Sequence, residues 1–283
     1  MGYVMRWVDL HVHSNKSDGT LPPTELVSLA RRIGLSAFAL TDHDSTQGVE
    51  EAVEAGRDCG VEVIPGIEVS TEYDGTDVHI VGLAFDWKSP VFQERLTDYR
   101  MGRERRNQQI IARMQEDGID ISEEKLCRAF PGAVRTRAHL ARYLMEHGYV
   151  SSIAEAFERY LGEDCPYYVP RRKVSPCEAT GLIRACGGVA VLAHPFQYHF
   201  EEEKLCGLLE ELCAAGLAGI EVYYSGYSET QTTYLRSIAS RYGLLPGGGS
   251  DFHGANKPEI MLGTGTGNLH IPYEIWEALR DRK

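Results

Sequence analysis

Between residues 4 and 89, apolar strand signals alternate with amphipathic helix signals, and the alternation resumes near Ser175. Strand, helix and strand in succession mean parallel βαβ units, which leaves open only folds built on a mostly parallel, helix-covered sheet. A strand over Val4 to Val12 precedes "LPPTELVSLARRIG", where prolines at the start and Gly34 at the end bracket Leu26, Leu29, Ala30 and Ile33 at helical spacing. Next come the strand "SAFALTDHD", a helix from Gln47 to Cys59 stopped by Gly60, the strand "VEVIPGIE" and, after the turn "YDGTD", the strand "DVHIVGLAF". The second run reads helix "CEATGLIRACG", strand "GVAVLAHP", helix Glu201 to Ala215, strand "AGIEVYY", helix "ETQTTYLRSIASRYG", strand "LLPGGGSDFHG" and a last helix after Pro272. About seven strands with intervening helices predict a closed or nearly closed α/β barrel rather than an open nucleotide-binding sheet.

The stretch between the two runs is different. Phe92, Leu96, Tyr99, Ile110 and Met114 mark one long helix, and "SEEKLCRAF", "TRAHLARYLMEHG" and "SIAEAFERYLG" mark three more, with no strand among them. The expected organisation is a barrel of residues 1–89 and 175–283 carrying a helical insertion, 90–174, as a substrate cap. The 283 residues suffice for this, and two independent domains remain open. With 43% hydrophobic and 25% charged residues the chain is an ordinary globular one. The start "MGYVMRWVDL" lacks an apolar stretch of signal length, and no run nears the roughly 18 residues of a membrane span, so a cytoplasmic protein is expected. Seven cysteines, an odd number without a Cys-x-x-Cys pair, read as reduced, mostly buried thiols rather than a disulfide framework or zinc ribbon. The net charge of −12 argues against a broad surface for duplex DNA or membrane. A small phosphorylated substrate stays compatible, because metal ions and nearby arginines set the sign of one pocket.

The stretch "VDLHVHSNKSDG" puts His11 and His13 on one face of a strand, with Asp9, while Leu10 and Val12 face the other way. Two imidazoles with Asp18 shortly after offer nitrogen and hard oxygen donors on rigid backbone. Other strand ends add Asp42, His43 and Asp44 from "TDHD", Glu68 from "PGIEVS", His79 from "DVHIVG", His194 from "LAHP", and Asp251 and His253 from "GSDFHG". Any one of these is explained as a core histidine or a helix cap. Six imidazoles and several carboxylates at one barrel mouth would instead be severely destabilising without cations between them.

The motifs "DLHVHSNKSDG", "ALTDHDS", "IPGIEVST", "HIVGL", "GAVRTRAHLARYL", "YVPRRK", "AVLAHP" and "GSDFHG", in that order and over nearly the whole chain, resemble the PHP (polymerase and histidinol phosphatase) phosphoesterases. The likeness is closest to the branch that hydrolyses nucleoside 3′,5′-bisphosphates and trims short RNA from its 5′ end. It implies a distorted, TIM-like (β/α)7 barrel and three divalent metals. The first would be held by His11, His13, Glu68 and Asp251, the second by Asp18, His43 and His253, the third by Glu68, His79 and His194. Glu68, Asp251 and His194 would take catalytic roles, and Asp9, Asp42 and Asp44 would orient ligands or cap helices. Donors without thiolate suit manganese, iron or zinc, and the resemblance implies Mn2+ over Zn2+ or Fe2+. Such ions generate hydroxide near neutral pH for in-line attack on phosphorus, so phosphoester hydrolysis is the expected reaction. With three such ions and three carboxylate ligands the formal site charge is about +3.

Specificity is expected from Arg135, Arg137 and His139 in "RTRAH" and from Arg171, Arg172 and Lys173 in "YVPRRK", where guanidinium forks would hold a second phosphate. Arg100, Arg103, Arg105 and Arg106 read as a solvated helix face, and the glycines of "PGGGSDFHG" as a tight turn beside the metals. One departure stands at Gln197, two residues after the proline of "AHP", where the resembled branch can carry arginine; Tyr198 beside it reads as buried in the barrel rim. The expected partner is a phosphorylated nucleotide or short oligoribonucleotide. The alternatives are a monoester phosphatase for a metabolite such as histidinol phosphate, a noncatalytic metal-binding module, and a metal-dependent amidohydrolase, for which no lysine replaces Glu68 at a strand end.

Overall fold

The computed structural model describes residues 6–170 and 174–282. These divide into two compact units, residues 6–94 with 174–282, and residues 95–170.

The first unit is a seven-stranded sheet in simple sequence order. Its strands are β1 (Val8–Val12), β2 (Ala37–Leu40), β3 (Glu62–Tyr73), β4 (Thr76–Leu83), β5 (Val189–Leu192), β6 (Gly219–Tyr224) and β7 (Leu245–Gly249). The end of β7 returns to β1, with Asp251 N donating to His11 O and His13 N to Phe252 O, so the barrel is nearly closed. Helices α1 (Pro23–Arg32) and α2 (Val49–Cys59) follow β1 and β2, and α7 (Pro176–Ala185), α8 (Glu202–Ala215), α9 (Glu229–Tyr242) and α10 (Tyr273–Arg280) accompany the later strands. Prolines at the first turns of α1 and α7 and left-handed glycines after α2, α8 and α9 bound them as the sequence suggests. Val8, Leu10, Ala37, Ala39, Val189 and Val191 pack with Trp276 and Leu279 of α10 in one core, while Leu26, Phe38, Leu40 and Ala52 build a second beneath α1 and α2.

One strand runs against the expected grain. β4 is antiparallel to both β3 and β5, joined to β3 by the two-residue turn Asp74–Gly75, both at positive φ. That is the Asp-Gly hairpin geometry matching strand twist. His79, paired with Ser70 within β4, is therefore not at a strand's C-terminal end. The reversed direction of β4 still carries it to the end where the parallel strands finish. The glycine run is also not a turn: Gly247, Gly248 and Gly249 lie in β7. A Cβ on Gly249 would stand 2.4 Å from the backbone N of His11, and one on Gly248 would stand 2.2 Å from Tyr223 O.

The second unit is helical. Its elements are the greater part of α3 (Pro90–Glu116), then α4 (Glu123–Ala129), α5 (Arg137–Glu146) and α6 (Ile153–Ala156), the last passing into one π-helical turn at Phe157–Leu161. Ile110, Met114, Leu126, Leu140, Leu144 and Leu161 form its own core. Arg103 and Arg106 of α3 are buried, so half of the arginine face expected to be solvated is interior. Cys127 is exposed and the other six thiols are half-buried, where mostly buried ones were expected; all seven are free. No helix among the described residues is long and apolar enough to cross a membrane.

Candidate active site

Nine of the sequence-derived positions, His11, His13, Asp18, His43, Glu68, His79, His194, Asp251 and His253, come together at one end of the barrel. β1 places His11, and His13 follows directly after the strand's end; both are fully buried. Glu68 of β3 is the hub. Its Oε2 lies 3.3 Å from His11 Nε2, 3.2 Å from His13 Nε2 and 3.1 Å from His43 Nδ1. Its Oε1 lies 2.8 Å from His79 Nδ1 and 2.9 Å from His194 Nε2. Asp251 Oδ1 is 3.2 Å from His13 Nε2 and 3.4 Å from His253 Nδ1, and Asp18 Oδ1 is 3.3 Å from His253 Nε2.

Among the described residues, three overlapping donor sets are compact enough to hold an ion: His13, Asp18, His43 and His253; His11, His13 and Glu68; and His43, Glu68 and His79. They share members differently from the expected sets, with His13 serving two and His43 entering the third. Asp251 Oδ1 borders the second set and His194 the third. The donors fit divalent cations by a direct sign. His11 Nε2, His13 Nε2, His43 Nδ1 and Glu68 Oε2 are buried and make no hydrogen bond, although they converge on one space. Buried polar atoms left so are costly unless a cation takes their lone pairs.

The electrostatics agree. Burial alone would raise the Glu68, Asp18 and Asp251 carboxyls, yet neighbouring imidazoles, joined by Lys257 at Asp251, hold all three well below the usual carboxylate range. Burial disfavours charge on His13, but Asp251 and Glu68 outweigh it and push the imidazole to about 9. At His43 burial wins and the imidazole falls to about 3. The carboxylates thus demand positive charge at this point.

Around the donors lies a supporting layer. Asp42 accepts from Ser14 N (2.8 Å), Ser14 Oγ (2.6 Å) and Ser17 Oγ (2.6 Å), and Ser17 Oγ stands 3.4 Å from His13 Nδ1. Asp9 accepts from Ser250 N, Ser250 Oγ and Gly263 N, and Asp44 from Ser70 N. Asp42 thus braces the loop after β1, and Asp9 ties Ser250 to Gly263. Three residues were not singled out from sequence. Glu221 of β6 has Oε1 2.9 Å from His11 Nδ1 and accepts from His194 N (2.6 Å). Tyr224 OH donates to Asp251 Oδ2 (2.6 Å), and Lys257 Nζ lies 2.6 Å from the same oxygen. Glu221 did carry a signal, as a carboxylate inside the apolar run "AGIEVYY". Asp44, His194 and Asp251 have φ of 47°, 22° and 56°, the left-handed region that non-glycine residues enter at a cost of about 1–3 kcal/mol, found mainly at functional sites.

Gln197 is exposed and donates through Nε2 to Tyr224 OH, and Tyr198 is buried with its hydroxyl against Ala193 O and His79 N, as its rim reading required. In the second unit, Arg135 pairs with Glu123 (3.3 Å). Arg137 lies over the rings of Phe157 and Tyr168, and His139 is buried in the capping box of α5 with Thr136. The phosphate contacts expected of Arg171, Arg172 and Lys173 fall outside the described residues.

An α/β barrel with a convergent histidine and carboxylate cluster at one end is the architecture of metal-dependent hydrolases. The model of the PHP domain matches residues 9–233, and the chain belongs to that family. It is 38% identical over 245 residues to a 5′-3′ exoribonuclease of Haemophilus influenzae, covering 87% of this chain and 89% of that one. It is 35% identical to a 3′,5′-nucleoside bisphosphate phosphatase of Chromobacterium violaceum, covering 97% of both. A crystal structure from Bifidobacterium adolescentis, of a protein thought to be a metal-dependent phosphoesterase, superposes with a TM-score of 0.87 at 29% identity, over 98% of this chain and 96% of that one.

Proposed function

We propose that this chain is a metal-dependent phosphoesterase that releases the 3′-phosphate of nucleoside 3′,5′-bisphosphates and trims 5′-phosphorylated short RNA. The observation that carries the reading is Glu68: one oxygen faces three imidazoles and the other faces two, the disposition of a carboxylate shared between ions. The names borne by the relatives supply the substrate class. In this reading His11, His13, Glu68 and Asp251 hold one divalent ion, Asp18, His43 and His253 a second, and Glu68, His79 and His194 a third, with Mn2+ preferred to Zn2+ or Fe2+. Bound there, such ions supply an activated water near neutral pH and a clamp for phosphoryl oxygens.

The chain's own residues prepare that geometry. Glu221 fixes which nitrogen His11 turns inward, because its carboxylate holds Nδ1. Tyr224 and Lys257 occupy Asp251 Oδ2 and so turn Oδ1 toward the histidines. Residues 90–174 act as a substrate cap in this reading, and the unpaired thiols accord with a cytoplasmic enzyme. Arg135 and Arg172 remain assigned to the second phosphate. Substituting either by alanine is expected to raise KM for a bisphosphate and leave KM for a monophosphate in place.

The deciding experiment is phosphate release by the wild type and Glu68→Ala with manganese supplied. The substrates are adenosine 3′,5′-bisphosphate, histidinol phosphate and a 5′-phosphorylated RNA trimer. Turnover of the bisphosphate or stepwise trimming, lost in the variant, is the expected result. Activity on histidinol phosphate alone would replace this reading with a metabolite phosphatase, and metal binding without any turnover would replace it with a noncatalytic module.

A further inference from the structure

A groove of about 480 Å³ opens beside Asp251, where the segments after β5 and β6 leave the barrel. Phe196, Tyr224 and Tyr227 wall it, and Gln197, His199 and Gln231 also line it. It lies at the same barrel end as the histidine cluster, and Tyr224 is common to both: its ring is 5.6 Å from that of His194, and its hydroxyl bonds Asp251. A volume of this order is within the usual range for small-ligand sites.

The lining decides what kind of group fits. Among the described residues it contains no lysine, arginine, aspartate or glutamate, and its one imidazole is the exposed His199, so a phosphate would find no fixed cation there and an ammonium no carboxylate. It offers aromatic surface instead, with Phe196 and Tyr227 at 5.2 Å edge to face and Tyr224 and Tyr227 at 5.0 Å. The walls are held in place. Tyr227 OH accepts from Phe196 N (3.1 Å), and Asn268 Nδ2 donates to the carbonyls of Tyr224 and Tyr227. Gln197, at the position where the sequence resemblance allows arginine, spends its Nε2 on Tyr224 OH, which leaves its amide oxygen as an acceptor at the rim. An aromatic trough with an amide edge and, among the described residues, no ammonium, guanidinium or carboxylate suits a planar heterocycle with N–H donors.

We propose that this groove seats the nucleobase of the substrate, stacked on the Phe196 ring with the perpendicular Tyr227 ring at its edge and the Gln197 carbonyl oxygen accepting from the base edge. The proposal rests on the phosphoesterase reading and adds to it the subsite that distinguishes a nucleotide from a sugar phosphate. Stacking of a base on an aromatic side chain sets the size of the effect. Its removal is expected to change the preference roughly five- to hundredfold.

The test compares kcat/KM for adenosine 3′,5′-bisphosphate with that for 1-O-methylribose 3,5-bisphosphate, which lacks the base, in the wild type, Phe196→Ala and Gln197→Ala. The wild type should prefer the nucleotide, and Phe196→Ala should shrink that preference roughly five- to hundredfold, mainly through KM. The exposed Gln197→Ala should shrink it less; because its Nε2 also holds Tyr224 OH, the ratio between the two substrates, and not the loss on either, is the readout. Equal losses on both substrates in Phe196→Ala, or no wild-type preference, would overturn the seat. Calorimetric binding of adenosine against methyl riboside repeats the comparison without turnover. Preference that Phe196→Ala abolishes supports the seat even if no phosphate is released, in which case only the phosphoesterase reading falls.

Discussion

Glu221 illustrates how a residue that touches no ion can govern one. Its carboxylate stands 2.9 Å from His11 Nδ1 and fixes the nitrogen that the ring presents to Glu68 and Asp251. Glu221→Gln keeps the volume and weakens the acceptor, so metal affinity should fall by about 10–100-fold, measured by titrating the metal-free protein. An unchanged affinity would remove Glu221 from the metal site. His13 sets a pH dependence. Its metal-free value of about 9 lies above the ordinary 6.5, so it carries a proton at neutral pH that a cation must displace. Metal uptake at pH 7 should therefore release protons, and apparent affinity should weaken as pH falls below about 9. Calorimetry in buffers of different ionisation enthalpy reads the proton count, and zero release would contradict the assignment. The clustered histidines and carboxylates were legible because each sits in a short motif such as "HVH" or "SDFH". Glu221, Tyr224 and Lys257 were not singled out, since their work depends on which strands the fold sets side by side.

At the scale of elements, the β7 glycines show why a motif's residue types can be read correctly and their purpose missed. The run "PGGG" suggests a turn, but Gly249 lies in a strand that approaches His11 so closely that a methyl group would meet its backbone at 2.4 Å. Gly249→Ala must push β7 away from β1, and overpacking of this kind costs about 1–3 kcal/mol. It should also lower metal occupancy, because Asp251 and His253 follow directly from β7 while His11 and His13 belong to the β1 side. Denaturation with and without metal separates the two effects. A loss of stability with metal binding intact would mean that the close approach serves packing alone. Strand and helix positions were largely readable from period and caps. The direction of β4 was not inferred, although the Asp74–Gly75 hairpin carried it. In α3 the burial of Arg103 and Arg106 escaped a reading that treats charge as surface.

For the whole molecule the decisive fact is where the donors come from. They arrive from β1, the loop after it, the segment after β2, β3, β4, the segment after β5 and the segment after β7, so ions placed among them would cross-link nearly the entire strand order. All belong to the first unit, and none lies among residues 95–170, which have a core of their own. Ligand binding stabilises the folded state by an amount that grows with the ratio of free ligand to Kd, about 2.7 kcal/mol at a hundredfold excess. Stripping the metals should remove that stabilisation from one unit only. Hydrogen exchange followed by mass spectrometry, before and after chelation, should show faster exchange in peptides spanning residues 8–18, 40–44, 66–80, 192–194 and 249–253. Those covering α5 and the core-forming part of α3 should keep their protection. Uniform loss across both units would show that the metals support the chain as one cooperative body. No change anywhere would show that the cluster, for all its converging lone pairs, is not held together by cations.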